Sequence, residues 1–305
     1  MKKNRIQCGR ELGFLDDFPV DLLAQLEPGL MLDVGAAIGF KTRAMLNANP
    51  SSRVVAFEPF PGNLESLESL AAQDSRVVMR PVAIAERTGT VKLFVAAVIK
   101  RPGLALPLGS SNVGRLRPRP WNRSEQVHAV PVARLDDEIR EPVRFLKIDI
   151  QSSEFRALTG AARLFEDHGV DYLYVEFSGD WRVLRLLERR GYVIFDGAYF
   201  AWPERFAPRN WFRRGDARHL PDGEIVRDFR LASGARGRIL WPRVPFRSFA
   251  LYCAWFIAMR LFVSGLQTDL FCVHRSKLAA FAQAAAKARM AQGARLERRR
   301  GSAQV

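Results

Sequence analysis

The sequence predicts an α/β domain, a mostly parallel sheet with helices on both faces, and three observations carry that expectation. Short apolar runs alternate with amphipathic stretches from Leu30 to Phe195, the pattern of a parallel sheet covered on both sides. The first run, Leu30-Met31-Leu32-Asp33-Val34, breaks into a turn spaced by Gly35 and Gly39 and then into a helix from about Phe40 to Asn47. Four acids, Asp33, Glu58, Asp149 and Glu176, fall at or near the carboxyl ends of predicted strands. That is the edge where open α/β sheets bind their ligands.

The chain has 305 residues, of which 48% are hydrophobic, enough for the core of one large α/β domain or two small ones. The charged fraction of 26% is ordinary, but the net charge of +15 is not. It opens nucleic acid, an anionic membrane surface or an acidic substrate as partners. Arginine greatly outnumbers lysine, and much of the excess lies in the C-terminal half and tail, away from the predicted strand ends. Cys8, Cys253 and Cys272 are far apart and odd in number. They make neither a disulfide framework nor a metal cluster, which points to the reducing cytoplasm. No apolar run follows Met1-Lys2-Lys3-Asn4-Arg5, so no signal peptide is expected.

Residues 1–29 form an N-terminal lead-in with one short helix, Phe18 to Leu26, opened by Asp16 and Asp17 and closed before Pro28-Gly29. After the first strand, turn and helix, Val54-Val55-Ala56-Phe57 is a second strand ending in Glu58, nineteen residues past Gly39. Pro59, Pro61 and Gly62 break the chain, and Asn63 to Ala72 sets Leu64, Leu67 and Leu70 on one helical face. A third strand, Arg76 to Met79, leads into Pro81-Val82-Ala83-Ile84. Thr90 to Val95 and Gln126 to Val132 then read as the arms of a hairpin over residues 86–132. Its long Pro-, Gly-, Ser- and Arg-rich loop centres on Gly109-Ser110-Ser111-Asn112, as a cover for the site or as plain surface.

Phe145 to Ile150 is the clearest buried strand after the first, and Gln151-Ser152-Ser153-Glu154 opens a helix through Ala157, Leu158 and Leu164. Tyr172 to Phe177, a helix from Trp181 to Arg190 and a strand from Tyr192 to Phe195 follow. Residues 197–264 are an insert: irregular to residue 245, with Trp202, Trp211 and Trp241 either packing or lining an acceptor pocket, then apolar. The clean apolar run there is eleven residues before Arg260, against about 20 needed to span a bilayer, so a buried or interfacial helix is expected. Thr268 to Val273 is a final, antiparallel strand. The domain therefore spans 30–275, and 276–305 is a tail: an Ala-rich helix from Lys277 to Ala291, then a basic, disordered end.

The turn at Asp33–Gly39 indicates a nucleotide-type cofactor, with Glu58 placed to accept ribose hydroxyls. A dinucleotide loop needs G-x-G-x-x-G, whereas here Asp33 precedes G-x-x-x-G, which argues against a pyrophosphate on the turn. Asp33-x-Gly35-x-x-x-Gly39 with a later acid instead resembles the S-adenosyl-L-methionine loop of seven-stranded methyltransferases.

More motifs then fall in order: Ala56-Phe57-Glu58-Pro59, Pro81-Val82-Ala83 with Gly89, Arg134-Leu135-Asp136-Asp137, Phe145-Leu146-Lys147-Ile148-Asp149, Glu154 ahead of Phe165, Glu176 and Gly191-Tyr192. From about Leu30 to Gly197 the chain resembles the FkbM-type S-adenosylmethionine-dependent methyltransferases. The resemblance implies a Rossmann-like seven-stranded sheet and O-methylation of a hydroxyl on a sugar, glycolipid or secondary metabolite. It implies cofactor contacts from Asp33, Gly35, Ala36, Gly39, Glu58, Pro59 and Ala83. The family's Asp-x-Glu-Gly-x-Glu motif reads Asp149-Ile150-Gln151-Ser152-Ser153-Glu154 here, which removes one charge and puts a side chain where glycine allowed close approach.

A hydroxyl acceptor needs a base or a metal to become a nucleophile. Asp149 is the first candidate, as base or as ligand of a divalent metal ion. Glu154 and Glu176 would assist, or else act as a helix cap and a structural ion pair. His128 and His168 are read as structural, and Lys147, in a buried strand, as snorkelling or paired with an acid. Two other readings stand beside the small-molecule, glycan or glycolipid O-methyltransferase. One is an RNA methyltransferase using the basic surface, against which no Asn-Pro-Pro-Tyr-like motif or RNA-binding module is present. The other is a catalytically silent cofactor-binding protein acting through partners or peripherally at an anionic membrane.

Overall fold

The computed structural model describes residues 6–8, 18–96, 114–115, 125–196, 212–213, 217–219, 225–231, 236–241, 253–254 and 268–302. Its centre is a sheet whose strands are β2 (Leu30–Val34), β3 (Arg53–Phe57), β4 (Val77–Arg80), β9 (Val143–Ile148), β10 (Val170–Phe177), β11 (Tyr192–Asp196) and β16 (Thr268–His274). Across the sheet they run β4-β3-β2-β9-β10-β16-β11. All are parallel except β16, which inserts antiparallel between β10 and β11. The seven expected strands are thus present, with the last antiparallel. An eighth, β1 (Ile6–Cys8), pairs parallel with β11 at the edge, inside the stretch expected to be only a lead-in.

Helices α1 (Val20–Leu23), α2 (Phe40–Ala48), α3 (Pro61–Gln73), α5 (Glu154–Thr159), α6 (Trp181–Arg189) and α7 (Leu278–Ser302) surround this sheet, and α4 (Leu135–Glu138) precedes β9. Alternation along the strands sends side chains to two separate cores. Leu30, Leu32 and Val34 join Leu146, Leu158, Leu164, Leu184 and Leu187 on the α5–α6 side. Met31, Val54 and Ala56 join Met45, Leu67, Leu70, Phe271 and Phe281 on the side of α1, α2, α3 and α7. A doubly wound sheet places its ligand crevice where the strand order reverses. Here that is between β2 and β9, which pair with Asp33 opposite Lys147 and Val34 opposite Ile148.

The predicted hairpin is β6 (Gly89–Ala96) against β8 (Glu125–Ala133). With β5 (Ala83–Ile84) and β7 (Gly114–Arg115) it makes a small second sheet with its own core, including Leu93, Val130 and Val132. Gly109–Asn112 of its loop lie outside the described residues.

The insert read as irregular instead carries four antiparallel strands, β12 (Phe212–Arg213), β13 (Ala217–His219), β14 (Ile225–Leu231) and β15 (Arg236–Trp241). The charges at Arg227, Asp228 and Arg230 break the alternation that would have announced β14. Trp202 and Trp211, and all of the apolar segment 249–263 except helical Cys253-Ala254, are outside the described residues. Helix α7 continues to Ser302, beyond the expected end at Ala291, as its Ala- and Arg-rich composition permits. Among the described residues no helix is long and apolar enough to cross a membrane.

Candidate active site

The loop after β2 is fixed by its own backbone and by two buried charges. Gly35 (φ 81°), Ala37 (φ 53°) and Gly39 (φ 87°) all take the left-handed conformation. The N–H groups of Gly35 and Ala36 both donate to the Phe57 carbonyl at 3.0 Å, which lays the loop across the end of β3. A Cβ on Gly35 would stand 2.0 Å from the carbonyl oxygen of Asp149, so only glycine lets the two switch-point loops touch.

Beneath the loop, Lys147 is 2% exposed and Asp33 is fully buried. The Lys147 ammonium lies 2.9 Å from Asp33 Oδ1 and donates to the Gly35 carbonyl at 2.7 Å. Thr42, on α2, donates to Asp33 Oδ2 at 2.7 Å. Burial pulls the Lys147 pKa down, but Asp33 and Asp149 outweigh it and hold the group above the ordinary lysine value. Asp33 is therefore spent on ordering the loop and α2.

Glu58 closes the other side. It is 6% exposed, and its two carboxyl oxygens accept the N–H of Ala37 at 2.8 Å and of Phe60 at 2.9 Å. Burial pushes its carboxyl above the ordinary range, opposed by the bonds from Phe60, Ala37 and Asn63. With three of about four acceptor sites taken, the carboxyl retains room for a further donor. Pro59 follows directly, and the Glu58 N–H donates to Arg80 at the end of β4. Ala83 lies three residues past Arg80, its methyl buried in the core of the small sheet.

The second half of the site is the turn after β9. The Asp149 N–H donates to the Val34 carbonyl at 3.0 Å. The chain then passes through Gln151 (φ 56°) and Ser152 (φ 75°), consecutive non-glycine residues in the left-handed region, each costing on the order of 1 kcal/mol. Glu154, 3% exposed, holds this turn from inside by accepting the N–H groups of Ile150 at 3.2 Å and Ser152 at 3.1 Å.

Glu176, at the end of β10 and opposite Asp269 of β16, is 6% exposed. The Gln151 amide nitrogen lies 3.1 and 3.2 Å from its two oxygens and 3.4 Å from Asp149 Oδ1. Asp149 has a 38% exposed side chain, whose Oδ2 lies 3.9 Å from Lys147 Nζ. Burial, with the Asp149 charge, pushes the Glu154 carboxyl up to about 7. Burial and the charges of Asp149, Glu154 and Asp269 drive Glu176 well above its ordinary value.

The sign of the Glu154 shift gives a measurable consequence. Its ordinary value is 4.5 and its folded value about 7, so the native state binds more protons between them. Stability from the protonated group is complete below about 4.5 and lost as pH rises through about 7. Glu154→Gln keeps a carbonyl acceptor for the two N–H groups. It is expected to reduce the slope of urea-midpoint stability over that interval; an unchanged slope contradicts the assignment.

The switch point thus gathers Asp33, Gly35, Ala36, Gly39, Glu58 and Pro59 on one side and Asp149, Glu154 and Glu176 on the other, while Ala83 belongs to the small sheet. Glu154 holds the turn at the start of α5, and Glu176 is joined to Gln151 rather than to a cation. Sequence reasoning missed Thr42, Asn63 and Asp269; Asp269, an acid at the start of the apolar run Leu270 to Val273, was the one with a readable signal. A divalent ion fits poorly, because an amide nitrogen donor occupies the position between Asp149 and Glu176. Among the described residues no group of three His, Cys, Asp or Glu is placed to hold a metal ion. His128 packs edge-on against Phe60 at 5.3 Å. A cavity of about 720 Å³ lies at the opposite end of the strands, around Gly29, Ser52 and Pro142. Its arginines are already engaged, Arg53 with Glu141, Arg76 with Asp74 and Arg144 with Asp171.

No curated protein matches the chain. Among solved structures, it is similar to a methyltransferase FkbM from Methylobacillus flagellatus KT, at 23% identity and a TM-score of 0.39 over 56% of this chain. The match spans only 39% of the length of that protein. A SAM-dependent O-methyltransferase from Thermotoga maritima matches at 11% identity and a TM-score of 0.36, over 90% of this chain and 68% of that one. A precorrin-6y C5,15-methyltransferase from Geobacter metallireducens GS-15 matches at 10% identity and 0.36, over 84% and 86%. The decisive match is in sequence. The model of the methyltransferase FkbM domain matches residues 33–194, more than half of the chain and the whole stretch from Asp33 to β11, and the chain belongs to the FkbM family of S-adenosylmethionine-dependent methyltransferases.

Proposed function

We propose that this protein transfers a methyl group from S-adenosyl-L-methionine to a hydroxyl of a small-molecule, glycan or glycolipid acceptor. The observation that carries the reading is the contrast among three carboxyls at the switch point. Asp149 is half-buried, with its side chain 38% exposed and Oδ2 3.9 Å from Lys147, whereas Glu154 and Glu176 are buried and pushed up in pKa. A hydroxyl has a pKa far above neutrality and gains from a positioned base as it reacts. Of the three, Asp149 is the one that solvent and substrate reach.

The glycine turn and Glu58 suit the cofactor. Gly35 keeps the loop free of a Cβ, and the first N–H groups of α2 have no partner within the helix and suit a carboxylate. Glu58 keeps acceptor capacity for ribose hydroxyls. When bound there, the cofactor supplies an electrophilic methyl group on a sulfonium, whose sulfur leaves as a neutral thioether. Asp149 receives the hydroxyl proton as the O–CH₃ bond forms. Lys147 compensates the carboxylate before the transfer, and Glu154 and Glu176 hold its surroundings fixed, so the contribution of these residues is alignment and proton acceptance.

S-adenosylhomocysteine at about a hundredfold over its dissociation constant is expected to stabilise the protein by about 2.7 kcal/mol. Thermal-shift titration reads this directly, and Glu58→Ala is expected to lose most of the ligand-induced shift. No shift in the wild type, or an equal shift in the variant, overturns the cofactor assignment. Tritiated-methyl transfer into fractionated metabolite, lipid, glycan and RNA pools then tests the acceptor. Label in an alkali-stable ether of a metabolite, glycan or glycolipid is the expected result; label confined to RNA overturns it.

A further inference from the structure

The reading above uses Asp149, Glu154 and Glu176 and leaves Gln151 unexplained, although the chain is bent out of shape to place it. Gln151 and Ser152 both stand in the left-handed region, where glycine is at ease and side-chain-bearing residues are not. Such a conformation persists where its surroundings over-determine it. Here Glu154 grips the turn through the Ile150 and Ser152 N–H groups. The result is that one uncharged side chain lies among acids from several elements. Asp149 comes from the end of β9, Glu154 from α5, Glu176 from β10 and Asp269 from β16, with Asp33 of β2 farther in.

The nearest buried cation does not serve this cluster as a whole. Lys147 is committed to Asp33 and the Gly35 carbonyl, and reaches only Oδ2 of Asp149, at 3.9 Å. The Gln151 amide nitrogen covers the other side, at 3.4 Å from Asp149 Oδ1 and 3.1 and 3.2 Å from the Glu176 oxygens. The Glu176 carboxyl, held up in pKa, already shares a hydrogen bond with Asp149, and two carboxyls this close are steadied further by a donor that reaches both. A carboxamide supplies N–H donors without a charge of its own. A glutamate at 151 would add one more acid, and an apolar residue would leave both carboxyls without the donor.

We propose that Gln151 is the positioning residue of the acceptor side: its carboxamide ties Asp149 to Glu176 where a bridging cation would otherwise sit, and so sets the orientation in which Asp149 meets the acceptor hydroxyl. This rests on the reading of Asp149 as the base. Asp149 is then held from two sides, Oδ2 by Lys147 and Oδ1 by Gln151, and the strained turn exists to present the amide at that point. The amide makes a metal ion unnecessary for bringing the two carboxyls together.

The test compares Gln151→Leu and Gln151→Glu with the wild type, using the acceptor fraction that takes up labelled methyl. Gln151→Leu is expected to lower turnover about 100-fold, the scale of a misplaced general base, while the S-adenosylhomocysteine thermal shift stays as in the wild type. Gln151→Glu can donate only when protonated, so its activity is expected at acid pH and to fall as pH rises, a limb the wild type lacks. Wild-type turnover and pH profile in Gln151→Leu overturn the proposal, as does Gln151→Glu with an unshifted profile. A second measurement is independent of any acceptor. With carboxyl-¹³C-labelled Glu, loss of the amide is expected to move the titration of Glu176, and Gln151→Leu leaving it in place also overturns it. If the wild type transfers no methyl at all, it is the assignment of Asp149 as base that fails, and the Glu176 titration alone still decides whether Gln151 joins the pair.

Discussion

Lys147→Met is expected to lower the free energy of unfolding by about 3–5 kcal/mol, the cost of leaving a buried charge uncompensated. The residue left behind is Asp33, fully buried and facing the vacated ammonium at 2.9 Å. The Gly35 carbonyl loses its 2.7 Å donor at the same time, so the cofactor loop loosens as the sheet weakens. Urea denaturation reads the stability. Lys147→Met combined with Asp33→Asn removes both charges and is expected to recover much of the loss, because an isosteric apolar–polar exchange carries no orphaned ion. A loss below about 1 kcal/mol in the single variant would place the pair among interactions of surface strength.

That pair marks the limit of what the sequence discloses about this fold. The strand–turn–helix at Leu30–Ala48 was legible because three local signals coincide there: an apolar run, glycines at the reversal and an amphipathic continuation. The strand-end acids were legible for the same reason, since an acid closing an apolar run has few structural explanations. Pairing with an acid was one of the two roles expected of Lys147, but that the acid is Asp33 was not legible. Each lies in an apolar strand, and only the register of β2 on β9 makes them partners across more than a hundred residues. Three-residue β1 is too short for any periodicity to show, and β16 gives no local sign of lying between β10 and β11.

The acceptor side was legible as composition and hidden as conformation. Asp149, Glu154 and Glu176 could be named, and Gln151-Ser152 could be seen to depart from the family motif. Neither residue type advertises a left-handed backbone, so the strained turn came only from the structure. The same holds for the protonation pattern. Carboxyls look alike in a sequence, and only the folded chain supplies the burial and neighbouring charges that push Glu154 and Glu176 up.

Asp149→Asn is expected to lower methyl transfer by about 10²–10⁴-fold, the usual contribution of a positioned general base, with the S-adenosylhomocysteine thermal shift retained. Asparagine matches aspartate in shape and keeps an oxygen acceptor for the Gln151 amide, but it cannot take a proton from a hydroxyl. The effect on the neighbouring groups has a definite direction. Removing the Asp149 charge relieves part of what raises Glu154 and Glu176, so both carboxyls should titrate lower in the variant. It also takes away one of the three acids that hold Lys147 up, which leaves Asp33 as its remaining close partner. Loss of transfer with intact ligand binding and lowered Glu154 and Glu176 titrations places the proton acceptor at Asp149. Full transfer by Asp149→Asn would instead move that role to Glu154 or Glu176. Both are buried and pushed up in pKa, so activity would then rise with pH through the titration of whichever carboxyl must ionise.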